Sequence, residues 1–189
     1  MKLLIDSADV DRIRRSFDCY PLDGAVIRST VDAKKIRDVI GEDCELHIPL
    51  DRLRAEEAFE EARRLVGELG VGTYVGIAID DEGFRAMKML ASSEVPFAAV
   101  GVRTSMQALM AGKSGASYVV PFVNRQDGRE AVDAIKRMFE TLRNNHLETE
   151  VLATRFKQIR QAIELAEYGI SAVSVTPEML PTLIDGDLY

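Results

Sequence analysis

Eight short apolar runs recur along the chain, and each is followed by a segment in which apolar residues repeat with the period of a helix. Several runs are almost continuously apolar, which is typical of parallel strands that helices cover on the outside. The pattern predicts strands over residues 2–6, 24–28, 45–50, 73–79, 96–102, 117–122, 150–156 and 171–176.

The segments between the strands predict amphipathic helices. Residues 55–69 carry one continuous apolar stripe along a polar segment. A second helix, predicted over 128–145, has apolar side chains three or four positions apart at Val132, Ile135 and Phe139. Each predicted helix therefore has one face to bury against the strands.

Eight β–α units predict a fold of the α/β class, a compact (β/α)8 or TIM barrel. Successive strands begin 21 to 33 residues apart, so the connecting loops must be short. The rival architecture is a doubly wound open sheet, but no GxGxxG or phosphate-binding loop motif follows any strand. We expect one barrel domain over residues 1–189.

Composition and charge narrow the functional classes. The chain has a net charge of −7, which disfavours non-specific binding to nucleic acid or anionic membranes. Its two cysteines, Cys19 and Cys44, lack the spacing of a metal site, and the apolar start of the chain ends at Asp6. These features predict a cytoplasmic protein with no metal and no cofactor.

The candidate chemistry lies where the predicted strands end, since barrel enzymes build their sites at the carboxyl ends of the strands. Four arginines follow strands there, and a guanidinium can bind two oxygens of a phosphate or carboxylate at once. The pattern predicts a site for an anionic small molecule that includes Arg28, Arg103, Arg125, Arg155, Asn124 and Ser174.

One alternative to that interpretation stays open. The arginines could pair internally with Asp6, Asp51 and Asp80, and Arg28 is the expected partner of Asp6 because the first two strands should be neighbours. The histidine in the third strand, His47, is expected to be a hydrogen-bonded core residue.

Five stretches together resemble the transaldolase family, in particular its short branch that includes fructose-6-phosphate aldolase. They are MKLLIDSADV, YPLDG, DDEGFRAMKML, GASYVVPFVNRQD and VLATRFKQIRQA. The resemblance implies a (β/α)8 barrel and a class I mechanism, in which a lysine on the fourth strand forms a Schiff base with a keto-sugar phosphate. It also implies a homo-oligomer, a pentamer or a decamer.

The chain departs from the family pattern where that lysine should be. The fourth-strand motif resembles VVKIPVTxEG in the family but is YVGIAIDDEG here, which places Gly76 at the position of the lysine. The resemblance also implies that Arg28 replaces an active-site asparagine and that Arg155 replaces a small phosphate-binding serine. Asp6, a family acid/base position, and Arg125, the family phosphate-binding arginine, are retained.

A Schiff base requires an amine of lowered pKa, and glycine has none. We therefore predict a diverged barrel that binds a phosphorylated or otherwise anionic sugar-type metabolite, with Asp6 as candidate acid/base. The alternatives are a non-catalytic binding or regulatory barrel and an active aldolase with a relocated lysine. The candidates for such a lysine, Lys2, Lys88 and Lys157, are all poorly placed for that role.

Overall fold

The computed structural model describes residues 1–51, 53–122 and 128–185, and in these ranges the strands close into a barrel. All pairings are parallel, each strand pairs with the next along the chain, and β8 pairs with β1. The predicted (β/α)8 barrel is confirmed. The strands are β1 Lys2–Asp6, β2 Gly24–Val26, β3 Glu45–Pro49, β4 Thr73–Ala78, β5 Phe97–Val102, β6 Tyr118–Pro121, β7 Glu150–Ala153 and β8 Ala172–Val175.

A helix follows each strand and lies outside the barrel. The predicted helix over 55–69 is found with those bounds, and the helix predicted over 128–145 ends one residue earlier. The helices are α1 Val10–Cys19, α2 Ala33–Ile40, α3 Ala55–Leu69, α4 Asp81–Ser92, α5 Ser105–Lys113, α6 Gly128–Asn144, α7 Ile159–Tyr168 and α8 Leu180–Ile184. In the described ranges, no helix is both long and apolar enough to cross a membrane.

Side chains alternate between the two faces of each strand, and this alternation divides the buried residues into two clusters. Outward residues such as Ile5 and Val75 join the large core between strands and helices. Inward residues form a smaller cluster inside the barrel, with Leu4, Tyr118 and Leu152 among its members. Positions of the same parity as Leu4 and Asp6 on β1 therefore face the barrel interior.

Two strands end earlier than the sequence pattern predicts. β2 was expected over 24–28 and ends at Val26, although the amide of Ile27 still donates to the carbonyl of His47 at 2.9 Å. β7 was expected over 150–156 and ends at Ala153, because Arg155 takes a φ of 62°, which an extended strand does not allow. Both early ends place an arginine in a loop at the mouth of the barrel.

The connection from β4 to α4 is tight. Asp80 caps α4 by accepting a hydrogen bond from the amide of Gly83 at 2.8 Å, as its position after the strand suggests. A Cβ on Gly83 would lie 1.9 Å from the carbonyl oxygen of Ala78, so only glycine fits this approach of helix and strand. The end of β4, with Gly76, is thereby held close to the first turn of α4.

Candidate ligand-binding site

A cavity of about 280 Å³ opens at the carboxyl ends of the strands. That volume has room for several water molecules or for a small metabolite. Its walls come from β1 to β7 and the residues that follow them, and its lower part is mainly apolar. The described residues that line it are Asp6, Val26, Ile27, Arg28, His47, Ile48, Pro49, Tyr74, Gly76, Ala98, Val100, Gly101, Val120, Pro121, Phe122, Leu152, Thr154 and Arg155.

Gly76 lies in the wall of this cavity and faces the barrel interior. A Cβ built on it would lie 3.0 Å from Val100 Cγ1 and 3.4 Å from the carbonyl oxygen of Ile48. A larger side chain would therefore need a small movement of Val100. Because residue 76 has no side chain, it supplies no amine to the wall.

No lysine lines the cavity among the described residues. Lys2 lies at the opposite end of the barrel, where its Nζ donates to Glu45 at 2.8 Å and to the hydroxyl of Tyr118 at 2.7 Å. Lys88 is exposed on α4, and Lys157 is exposed in the loop after β7. None of the three candidate lysines is placed to replace an amine at Gly76.

Asp6 and Arg28 form an ion pair in the wall of the cavity. Arg28 Nε donates to Asp6 Oδ1 at 3.0 Å, with the carboxylate 3% exposed and the arginine side chain 51% exposed. The hydrogen bond and the negative charge of Asp6 raise the pKa of Arg28 above its ordinary value. The expected internal pairing of Arg28 is thus present, yet it uses only the Nε–H and leaves the two terminal amino groups of the guanidinium clear of Asp6.

Arg155 lines the same cavity from the loop after β7 and is exposed. Within the described ranges it has no carboxylate at salt-bridge distance. Its positive φ is uncommon for a residue with a side chain and costs on the order of 1 kcal/mol. Internal pairing with the described acidic residues therefore does not explain why an arginine stands here.

The remaining predicted residues are placed differently. Arg103 lies outside the lining, with its guanidinium stacked 5.0 Å above the ring of Phe122, which does line the cavity. Ser174 is 1% exposed, faces the interior beside Leu4 and is not among the lining residues. Asn124 and Arg125 lie outside the described residues.

His47 is buried and hydrogen-bonded, as the sequence predicted, and it also lines the cavity. It is 5% exposed, its ring stacks on Tyr74 with centroids 4.9 Å apart, and it lines the cavity. Its Nε2 lies 3.3 Å from Glu45 Oε2, whereas Nδ1 has no hydrogen-bond partner among the described residues. The alternation of side chains along a strand could have identified it, because His47 lies two residues before Pro49 and both residues line the cavity.

An ionic cluster lies beneath His47, at the amino-terminal end of the barrel. The Glu45 carboxylate accepts from Lys2, from the hydroxyl of Tyr118 at 3.0 Å and from His47. Burial raises the pKa of Glu45, but hydrogen bonds from His47 and Lys2 outweigh it and hold the pKa at about 2. Burial lowers the pKa of His47, so its imidazole is neutral near pH 7.

Comparison with known proteins places this barrel in a family. The family model for Transaldolase/Fructose-6-phosphate aldolase matches residues 28–188. The chain belongs to this family. It is 31% identical over 201 residues to a probable transaldolase of Thermoplasma acidophilum, a match that covers 97% of this chain and 88% of that protein. A probable transaldolase of Hydrogenobaculum sp. is 31% identical over 196 residues, with the same coverage of both chains.

Solved structures agree with this transaldolase-family barrel at the level of the fold. A putative deoxyribose-phosphate aldolase from Coccidioides immitis superposes with a TM-score of 0.72 at 12% identity, over 95% of this chain and 82% of that one. A mandelate oxidase variant superposes with a TM-score of 0.67 at 15% identity, over 94% and 65% of the two chains. At such low identity the likeness shows the barrel architecture alone.

Within the described ranges, this transaldolase-family barrel holds no group of three or more His, Cys, Asp or Glu side chains in a metal-binding arrangement. The chemical groups at the mouth are guanidinium, carboxylate and hydroxyl, and those at the floor are imidazole and phenol. Such a set can bind an anion and hydrogen-bond a polar ligand. A Schiff base would need an amine that the described lining does not contain.

Proposed function

We propose that this member of the transaldolase family binds a phosphorylated or otherwise anionic sugar-type metabolite without forming a Schiff base. The observation that carries the proposal is the composition of the cavity at the barrel mouth: two guanidinium groups, Arg28 and Arg155, lie over an apolar wall that contains Gly76 and no lysine among the described residues. Cationic groups over an apolar wall suit a small ligand with one anionic end.

The arginines would hold the anionic group. Arg155 has no carboxylate partner in the described ranges, and Arg28 keeps its terminal amino groups clear of Asp6. Planar guanidinium groups bind phosphate oxygens in pairs, which orients the ligand as well as holding it. Arg125, the family phosphate-binding arginine by resemblance, and Arg103, Asn124 and Ser174 remain candidate contributors.

Asp6 would be the acid/base residue if the protein catalyses a reaction. Its carboxylate lies in the cavity wall, and the bond from Arg28 Nε fixes its orientation. Arg28 itself stays protonated and would stabilise negative charge rather than transfer a proton. A non-catalytic binding barrel would use the same arginines and leave Asp6 as a structural partner of Arg28.

Arg155→Gln tests the anion site. Thermal shift and calorimetric titration with fructose 6-phosphate and inorganic phosphate should show binding to the unchanged protein and at least tenfold weaker binding to the variant, because a hydrogen bond to a charged group is worth about 1.5–3 kcal/mol. The matched control is Arg14→Gln, an exposed arginine on α1, which should leave binding unchanged. Equal binding by the wild type and the Arg155 variant would contradict this role.

Borohydride reduction separates the proposal from ordinary aldolase chemistry. In the presence of dihydroxyacetone or fructose 6-phosphate, we expect no covalent adduct by mass spectrometry, because no described lysine reaches the cavity. An adduct mapped to any lysine would restore the relocated-lysine alternative. The homo-oligomer implied by the family, a pentamer or decamer, stays a prediction that light scattering can check.

A further inference from the structure

We propose that His47 is a ligand-contacting residue at the floor of the cavity, where its Nδ1 accepts a hydrogen bond from a hydroxyl group of the ligand, and that Glu45 is its positioning residue. The inference rests on the proposed function, since it supplies the inner end of a ligand whose anionic end binds at the arginines. It narrows the ligand class to polyol or sugar phosphates, in which hydroxyl groups extend inward from the phosphate.

The first support is an unsatisfied buried atom. His47 is 5% exposed, and its Nδ1 has no hydrogen-bond partner among the described residues. Most buried polar side-chain atoms in proteins are hydrogen-bonded, so each exception needs an explanation such as a bound water, a ligand or a catalytic role. Because His47 lines the cavity, a molecule bound there is the natural partner.

The second support is the arrangement that fixes the tautomer. Glu45 is ionised, and an ionised carboxylate can only accept hydrogen bonds, so the His47 Nε2 that lies 3.3 Å from it must carry the proton. A neutral imidazole has one donor and one acceptor, which makes Nδ1 the acceptor. Lys2 and Tyr118 hold Glu45 in place from the far side. The unpartnered Nδ1 therefore matches a hydroxyl donor and not an anion.

The third support is access from above. His47 pairs in register with Tyr74, and Pro49, two residues further along β3, pairs with Gly76. Gly76 adds no side chain above the His47–Tyr74 pair, and all three residues line the cavity. Val26 on β2 pairs in register with Asp6 on β1 and with His47 on β3. The floor and the Asp6–Arg28 ion pair therefore lie on neighbouring strands of one continuous wall.

Nitrogen-15 NMR of the histidine rings gives a direct test. The chain has two histidines, and His146→Asn leaves His47 as the only ring signal. Asparagine suits position 146 because it tolerates the positive φ of 55° found there. At pH 7.5 we expect the Nε2–H tautomer, with the Nδ1 resonance moving upfield when arabinitol 5-phosphate is added. Pentyl phosphate, which lacks the hydroxyl groups, should bind through its phosphate and leave Nδ1 unmoved.

Affinities measured on variants provide the second readout. His47→Phe keeps an aromatic ring against Tyr74 and removes both nitrogens, so arabinitol 5-phosphate should bind about tenfold more weakly while pentyl phosphate changes less than about twofold. If the Phe variant fails to fold, His47→Gln serves in its place. Arg155→Gln should instead weaken both phosphate compounds, which separates the two ends of the ligand.

The outcomes distinguish this inference from the proposed function. If the phosphate compounds raise the melting temperature but arabinitol 5-phosphate leaves Nδ1 unmoved, the role of His47 is overturned and the anion site stands. If neither phosphate compound binds, the proposed function is overturned. The role of His47 is then tested with unphosphorylated arabinitol. A shift of the Nδ1 resonance supports the hydroxyl-binding role, and no shift overturns it.

Discussion

Gly76 changes two properties of the cavity at the residue scale. It provides no amine where the family resemblance places the Schiff-base lysine, and it adds no side chain to the wall above the floor that contains His47. Both changes follow from one missing side chain. The covalent chemistry that the family resemblance implies should therefore appear when an amine is placed at residue 76.

The double substitution Gly76→Lys with Val100→Ala tests that connection. A Cβ at position 76 would lie 3.0 Å from Val100 Cγ1, so shortening Val100 removes the closest contact. An amine in this largely apolar wall should have a lowered pKa, which favours attack on a carbonyl. Borohydride with dihydroxyacetone should then give an adduct that peptide mapping assigns to residue 76.

The control for the lysine graft is Gly76→Ala with Val100→Ala, which makes the same change in the neighbouring side chain but adds no amine. It should give no adduct under identical conditions. A folded lysine variant that also gives none would show that an amine at position 76 does not reach the carbonyl, and the alignment of Gly76 with the family lysine would lose its main chemical consequence.

At the scale of the elements, the alternation of apolar runs and amphipathic segments was sufficient to predict the barrel. The bounds of α3 and most strand positions follow from periodicity, because burial on both sides of a parallel strand fixes the pattern. The ends of β2 and β7 do not follow from it. Arg155 has a positive φ that depends on the local loop and not on hydrophobicity.

The floor of the site could not be predicted for a related reason. His47 stacks on Tyr74 and packs edge-on against Tyr118, and its carboxylate partner Glu45 is held by Lys2. These residues come from four strands whose inward faces meet only after the barrel closes. A single sequence shows each of them as an isolated polar residue in an apolar run.

Gly83→Ala tests the tight packing of α4 against β4. The added Cβ would lie 1.9 Å from the backbone oxygen of Ala78, and backbone cannot rotate away as a side chain can. We expect a loss of about 3 kcal/mol in the free energy of unfolding, at the upper end of the range for overpacked interiors. Urea denaturation followed by circular dichroism measures this change.

Gly67→Ala is the matched control for that substitution. Gly67 is exposed within α3, and nothing lies within 4 Å of a Cβ built there. Alanine should therefore raise the free energy of unfolding by about 0.5–1 kcal/mol, the ordinary preference of a helix for alanine over glycine. If both variants changed stability by the same amount, the close approach of helix and strand at Gly83 would be refuted.

At the scale of the whole molecule, the two ends of the barrel carry different charged groups. Guanidinium groups without full internal pairing lie at the carboxyl ends of the strands, whereas Lys2 pairs with Glu45 and Glu150 at the amino-terminal ends. In barrel enzymes the first face carries function and the second carries stability. His47 touches both, through the cavity on one side and Glu45 on the other.

That separation predicts an acid-sensitive unfolding transition that depends on Glu45. Its pKa is about 2 in the folded protein and near 4.5 when unfolded, so the unfolded chain binds protons first as the pH falls. The stabilisation is complete above pH 4.5 and is lost as the pH falls toward 2. At about 1.36 kcal/mol per pKa unit, it amounts to about 3 kcal/mol.

Glu45→Gln should remove that contribution. Urea denaturation at pH 7 should show the variant less stable than the wild type by up to about 3 kcal/mol, and the difference should shrink steadily between pH 4.5 and pH 2.5. His47 also destabilises the folded state as the pH falls, because its lowered pKa makes the unfolded state the better proton acceptor below pH 6.5.

The control is Glu148→Gln, an exposed glutamate that lines a pocket with Lys2 and Glu150 at the amino-terminal end of the barrel. It should leave the pH profile unchanged. A difference between wild type and Glu45→Gln that stays constant from pH 7 to pH 2.5 would mean that the carboxylate is not held ionised by Lys2 and His47, and the positioning role of Glu45 would fail with it.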